Sequence, residues 1–164
     1  MIFVTVGTHH QPFMRMLDAL APIADRDLVV QYGPGSAPAG AARAEAFMPF
    51  EEMLACYREA EQVITHAGVG SILCAIREGH TPLVVPRRHE LGEHVDDHQA
   101  ELSRALEERG SVVVAWETER LGQLLDSLPP RRQNPEAQVP ELCGEVRAAL
   151  LGASPGEPVQ SSRA

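Results

Sequence analysis

Lysine is absent from this chain: all 14 basic residues are arginine, against 23 acidic ones, for a net charge of −9. Without lysine there is no phosphate-binding loop of the GxxxxGK[ST] type. The acidic balance leaves no basic face of the kind nucleic acid requires, and the longest basic runs are the pairs Arg87-Arg88 and Arg131-Arg132. Cysteine is scarce. Three in 164 residues, Cys56, Cys74 and Cys143, with no CxxC spacing, exclude a disulfide scaffold and read as reduced thiols of a cytosolic protein. Long apolar runs are missing too. No stretch approaches the ~20 residues of a membrane span. The first apolar run has no basic flank and stops at Gly7, so it is not a signal peptide. Any membrane association therefore runs through a partner or a surface. No internal repeat is found.

What is present is ordinary for a soluble globular protein: 44% hydrophobic and 23% charged residues in a length that suits one domain. Short apolar runs alternate with helical spacing. Strands are expected at 2–6, 28–31, 46–48, 62–65, 83–85 and 111–115, and helices at 12–24, 50–60, 71–78, 95–109 and 119–128. Six near-continuous apolar strands between helices predict a doubly wound α/β domain over 1–128, with a parallel sheet covered on both faces. Its ligand site belongs at the C-terminal ends of the strands. After Leu128 the character changes. Residues 129–151 read as a proline-rich linker followed by one amphipathic helix at 136–151, and 152–164 as a disordered tail.

Three segments fall at that strand edge. In Thr65-His66-Ala67-Gly68-Val69-Gly70-Ser71 a strand meets two glycines and a helix start, where unpaired N–H groups and the dipole favour an anion. The same glycines also suit a tight strand–helix turn with no ligand. A dinucleotide fingerprint needs a third glycine at 73, which is leucine, and an acidic end to the second strand, which is Gln31-Tyr32-Gly33; a dehydrogenase is disfavoured. The second segment, 86–99, is dense in polar groups. Arg and His donate to anionic oxygens, and Asp, Glu and Gln bond hydroxyls, which suits a sugar diphosphate. A metal site on His89, His94 and His98 is an alternative, although the HExxH spacing is not met; a solvated helix start is the plain one. The third segment, Gly7-Thr8-His9-His10-Gln11, sets backbone amides and a hydroxyl at the cleft, with His9 or His10 as a candidate base.

Taken in order, Ile2-Phe3-Val4-Thr5-Val6-Gly7-Thr8, Phe47-Met48-Pro49-Phe50-Glu51-Glu52-Met53, Thr65 to Ile72, Pro82 to Arg88, Gly92-Glu93-His94 and Asp97-His98-Gln99 make a set. That set resembles the C-terminal, nucleotide-sugar-binding domain of family 28 glycosyltransferases, in its small stand-alone form. That form includes the catalytic subunit of the dolichol-linked N-acetylglucosamine transferase and similar bacterial exopolysaccharide glycosyltransferase subunits. The resemblance covers about residues 1–128. It implies a Rossmann-like half of a GT-B enzyme, an inverting hexosyl transfer from a UDP-sugar, and no cofactor or metal. It also implies a membrane-anchored partner subunit holding a polyprenyl-diphosphate-linked acceptor, and a cytoplasmic place at the inner membrane face through that partner. By the same resemblance Phe47 and Met48 meet the uracil. His66, Gly68, Val69, Gly70 and Ser71 hold the diphosphate, and Gly7 and Thr8 face it. Arg87, Glu93, His94, Asp97, His98 and Gln99 contact sugar and phosphates. The catalytic base is left unassigned. Full-length relatives place a ribose-binding Glu where this chain has Cys74, and His80-Thr81-Pro82 is one residue longer than their Gly-x-Pro. That departure keeps a non-catalytic nucleotide-sugar-binding or partner-stabilising module open beside the enzyme.

Overall fold

The structure, a computed structural model, describes residues 1–95, 98–132 and 144. Its centre is one parallel sheet of six strands: β1 (Ile2–Thr5), β2 (Leu28–Gln31), β3 (Arg43–Glu45), β4 (Gln62–His66), β5 (Leu83–Val85) and β6 (Val113–Val114). The order across the sheet is β3-β2-β1-β4-β5-β6. The chain thus builds outward from β1 in one direction, then returns to build outward from β4 in the other. In register, Ile2 lies opposite both Leu28 and Gln62. The order reverses between β1 and β4, and there the loops diverge to leave a crevice.

Alternation along each strand separates two apolar layers, because successive side chains leave opposite faces. Ile2, Val4, Leu28, Val30, Ile64, Leu83 and Val85 face one side. Helix α1 (Met14–Asp18) covers them with Met16 and Leu17, and α5 (Leu121–Asp126) with Leu121 and Leu125. On the other side, Phe3, Val29 and Val63 pack beneath α2 (Phe50–Glu59) and the inner face of α3 (Val69–Arg77). Val84 and Val114 lie there too, under α3 and α4 (His98–Glu108). Both faces of every central strand are buried, so the strands read as continuous apolar runs.

The expected doubly wound parallel sheet is therefore present, with several local differences. The third strand is at Arg43–Glu45 rather than 46–48. It is a half-buried edge strand in which Arg43 and Glu45 flank a lone Ala44, with no apolar run to mark it, and the apolar signal belongs to Met48, which is buried under α2. The helix expected at 12–24 ends at Asp18 and resumes as a 3-10 turn, Ala21–Ile23, around Pro22. Helix α3 starts at Val69, two residues early, because Gly68 caps it and Gly70 is taken into its first turn. The last helix is divided into a 3-10 turn, Thr118–Arg120, and α5.

Beyond α5 the chain returns to the far ends of α2 and α3. The Arg132 N–H donates to the Gly79 carbonyl at 2.8 Å, and the Arg131 guanidinium donates to the carbonyls of Glu78 and Arg58. Gly79 is required twice over there: its φ is +90°, and a Cβ would stand 2.5 Å from the Arg132 carbonyl oxygen. The expected helix at 136–151, apart from Gly144, and the tail at 152–164 lie outside the described residues, as does Cys143.

Candidate functional site

At the switch point, Gly7, Thr8, Met53, His66, Gly68, Gly70 and Ser71 enclose a concavity of about 210 Å³. Six of these seven come from the sequence expectation, and they arrive from two separate strand ends. Met53, from α2, was missed; its helical spacing marks it as core, and it is half-buried.

The β1 end is fixed from below. Gln31, fully buried, accepts from the Thr5 hydroxyl and donates to the carbonyls of Gly7 (3.0 Å) and Ala46 (3.2 Å). The Thr5 hydroxyl oxygen in turn accepts the Gly7 N–H at 3.2 Å. Gly7 itself adopts φ +79°, and a Cβ on it would lie 2.4 Å from the His66 ring. A Cβ on Gly68 would lie 2.2 Å from the same ring. His66 is thus a flat wedge between two glycines, one from each side of the switch point. Burial, with Arg87 adding to it, pushes its pKa down to about 4, against a hydrogen bond to the Thr5 backbone that favours the charged form. The ring is neutral at pH 7. It sets the spacing of the two turns.

Helix α3 begins at this floor. Gly68 is its N-cap with no side-chain capping bond, so the amides of Val69, Gly70 and Ser71 lie in an uncapped first turn. A Cβ on Gly70 meets nothing within 4 Å, so Gly70 borders open space. Such a turn attracts an anion through its N–H groups and dipole. Below it, the buried Tyr57 ring meets Phe3 edge-on at 4.9 Å. Burial raises its phenol pKa. The Ser71 and Thr65 hydroxyls nearby oppose that shift, although neither closes a full-geometry hydrogen bond to it. Cys74, one turn on, is half-buried, and burial raises its thiol pKa, so it brings no charge.

Phe47 and Met48 diverge. Phe47 is 54% exposed, whereas Met48 is buried in the layer beneath α2. Phe50, one turn before Met53, is 64% exposed and was not anticipated as a site residue.

The 86–99 segment is arranged differently. Arg87 is wholly buried. Its guanidinium donates to the carbonyls of Val6, Gln11 and Glu93, each at 3.1 Å, and lies 4.5 Å over the Phe13 ring. The Glu93 carboxylate receives Arg15 at both oxygens, each at 2.9 Å, and the Arg88 N–H at 2.9 Å. Gln99 accepts the Arg87 backbone N–H at 3.2 Å. These groups tie the loop to β1 and α1. His98 sits on the first turn of α4, largely exposed, 3.5 Å from Glu101. Asp97 lies outside the described residues. His94 is half-buried, and its ring is 5.0 Å from that of His9, which stacks on His10 at 4.4 Å. Among the described residues no group of three or more His, Cys, Asp or Glu is placed to hold a metal ion.

An α/β sheet in this strand order, with a glycine-walled crevice at its switch point and an uncapped helix start as its floor, belongs to the nucleotide-binding class of folds. Within that class the chain belongs to glycosyltransferase family 28: the sequence model of the Glycosyltransferase family 28 C-terminal domain matches residues 1–147. No curated protein matches it. Membership of the family implies a nucleotide-sugar-binding role in glycosyl transfer. Among the described residues no helix is long and apolar enough to cross a membrane.

Proposed function

We propose that the chain is the donor-binding, catalytic part of a two-component glycosyltransferase that moves a hexose from a UDP-sugar to a polyprenyl-diphosphate-linked acceptor. One observation carries the reading. The glycine-walled concavity and the uncapped start of α3 coincide at the switch point of a family 28 fold. The diphosphate takes the amides of Val69, Gly70 and Ser71, with the Ser71 hydroxyl as a further donor. The exposed Phe47, with Met48 behind it, borders the uracil. His94, Asp97, His98 and Gln99 are the groups assigned to the sugar on this reading.

The chemistry is direct displacement. The acceptor hydroxyl oxygen forms a bond to the anomeric carbon with inversion, the bond to UDP breaks, and the hydroxyl proton passes to a base that is left unassigned. Amides aimed at the departing diphosphate stabilise the charge that grows there, without a covalent intermediate. The acceptor half comes from a second, membrane-anchored subunit, which also brings this chain to the inner membrane face and completes an exopolysaccharide- or glycolipid-building complex. Cys74 supports a second reading, a nucleotide-sugar-binding module that stabilises a partner, because a neutral thiol does not grip two ribose hydroxyls.

Isothermal titration with UDP, then with UDP-GlcNAc, UDP-glucose, UDP-galactose and UDP-glucuronic acid, tests the donor site. Binding with a preference among the sugars is expected. Gly70→Asp abolishes it while the fold persists, since a Cβ there meets nothing. Unchanged UDP affinity in Gly70→Asp removes the diphosphate assignment. Turnover that appears only with the partner subunit separates the enzyme from the module.

A further inference from the structure

Beneath the start of α3 lies a polar atom that packing does not account for. Tyr57 is 1% exposed, and its hydroxyl is buried with no hydrogen-bond partner among the described residues. A phenylalanine would fill the same space without leaving a buried polar group unbonded, which is costly. The residue is held firmly at two points. Its ring meets Phe3 edge-on at 4.9 Å, and its carbonyl accepts from the buried His80 Nε2 at 2.7 Å. Two hydroxyls flank the phenol. Ser71 stands one helical turn before Cys74 and Ala75, which pack in the same apolar layer as Tyr57, so it lies at the outer end of that face of α3. Thr65 follows Val63 by two residues on β4 and shares its side of the sheet, where Val63 and Phe3 meet Tyr57. Burial raises the phenol pKa, and Ser71, then Thr65, act against that rise. The two hydroxyls differ in freedom. The Thr65 hydroxyl donates to the His66 carbonyl at 3.1 Å, so toward Tyr57 it can only accept. The half-buried Ser71 hydroxyl closes no hydrogen bond among the described residues, and Ser71 also lines the concavity. Its hydrogen can turn inward to the phenol or outward to a ligand.

We propose that Tyr57 is a positioning residue for the bound diphosphate: its buried O–H donates to the Ser71 oxygen and turns the Ser71 hydrogen outward to the anion. A phenol is more acidic than an alcohol and is the better donor of the pair. Each bond of such a chain polarises the next, so the anion draws on both hydroxyls while touching only one. Without a ligand the phenol has nothing to hold in place, which accounts for its missing partner. The relay rests on the reading that the start of α3 takes a diphosphate.

Titration of wild type, Ser71→Ala, Tyr57→Phe and the double variant with UDP closes a cycle. Ser71→Ala should weaken UDP about tenfold, the scale of one hydrogen bond to a charged group. Tyr57→Phe removes an atom that touches no ligand, yet should weaken UDP roughly three- to fivefold in the wild-type background and by less than about 1.5-fold once Ser71 is alanine. Urea unfolding should place Tyr57→Phe at wild-type stability or slightly above it, since the lost hydroxyl had no partner. The chain has only two tyrosines, so the carbon-13 signal of tyrosine Cζ is simple to assign. The Tyr57 signal should move on saturation with UDP in wild type and stay in place in Ser71→Ala. Three results overturn the relay: UDP affinity unchanged in Tyr57→Phe, a loss that adds in full to that of Ser71→Ala, and a Tyr57 signal indifferent to UDP. A lower stability of Tyr57→Phe together with an additive loss marks the phenol as structural. In each of these cases a weakened Ser71→Ala leaves the diphosphate reading standing. Absence of UDP binding, or affinity indifferent to Ser71→Ala and Gly70→Asp alike, defeats that reading and the relay with it.

Discussion

Two neighbouring regions on the C-terminal edge of the sheet look equally functional in the sequence and are built on opposite plans. The β1–β4 cradle is poor in charge. Its walls are glycine backbone and a neutral histidine, and its helix start has no side-chain cap. The 86–95 loop is crowded with charge, yet Arg87, Arg88 and Glu93 are engaged with one another, with Gln99 of α4 or with backbone carbonyls. Polar density in a sequence measures how much bonding a segment can do. It does not say whether the partner is a ligand or the protein itself. On the proposed reading the open region takes the ligand; the crowded one braces it, since Arg87 reaches Val6 and Arg15 holds Glu93 against α1.

The comparison can be broken most forcefully with acid. His66 has a folded pKa of about 4 against an unfolded value near 6.5, so the unfolded chain takes up the proton first. Stability is full above about pH 6.5 and falls as pH drops toward 4, by up to about 3 kcal/mol from this group. Burial also lowers the pKa values of His9 and His80, which adds in the same direction. Denaturation midpoints of wild type and His66→Gln over pH 4–7 should converge on acidification; parallel curves would show that His66 is not the wedge described.

Next is Gly68→Ala. Its Cβ would stand 2.2 Å from the His66 ring, which is itself held between two glycines. A loss of roughly 2–3 kcal/mol is expected, the usual scale for overpacking. Urea unfolding checks it, and the double variant with His66→Ala should recover most of the loss. No recovery would place the strain elsewhere.

Glu93→Gln probes the bracing loop. It breaks a two-point contact with Arg15 in which the glutamate is 9% exposed. A destabilisation of about 2 kcal/mol, the scale of a hydrogen bond to a charged group, with UDP affinity nearly unchanged is the expected result. Lost affinity at full stability would move Glu93 from brace to ligand. The smallest effect is Gly70→Ala, in the same turn as Gly68. It adds a methyl to open space inside a helix and should leave stability within about 0.5 kcal/mol or slightly improve it. A large loss would mean that the two glycines serve one purpose rather than two.

The sheet was legible because burial on both faces writes strands as apolar runs: β2 and β5 fall at the residues the sequence predicts. The edge strand β3 was not, since a half-buried edge carries no such run. The cradle was legible through its glycines, which mark places where backbone must come close. Met53 and Phe50 were hidden within the apolar periodicity of α2. The bracing role of Arg87 was hidden for another reason. A charged residue after a strand predicts an exposed donor, and only the fold shows that the carbonyls of three segments converge on it.

Helix α3 has a mechanical reading as well. Its nine residues, about 13 Å long at 1.5 Å per residue, run from the cradle at Gly68 to the Gly79 corner clasped by Arg131 and Arg132. It acts as a strut loaded at both ends. A body that grips the chain near residue 132 and pulls along this axis transmits the pull to the amides that face the concavity.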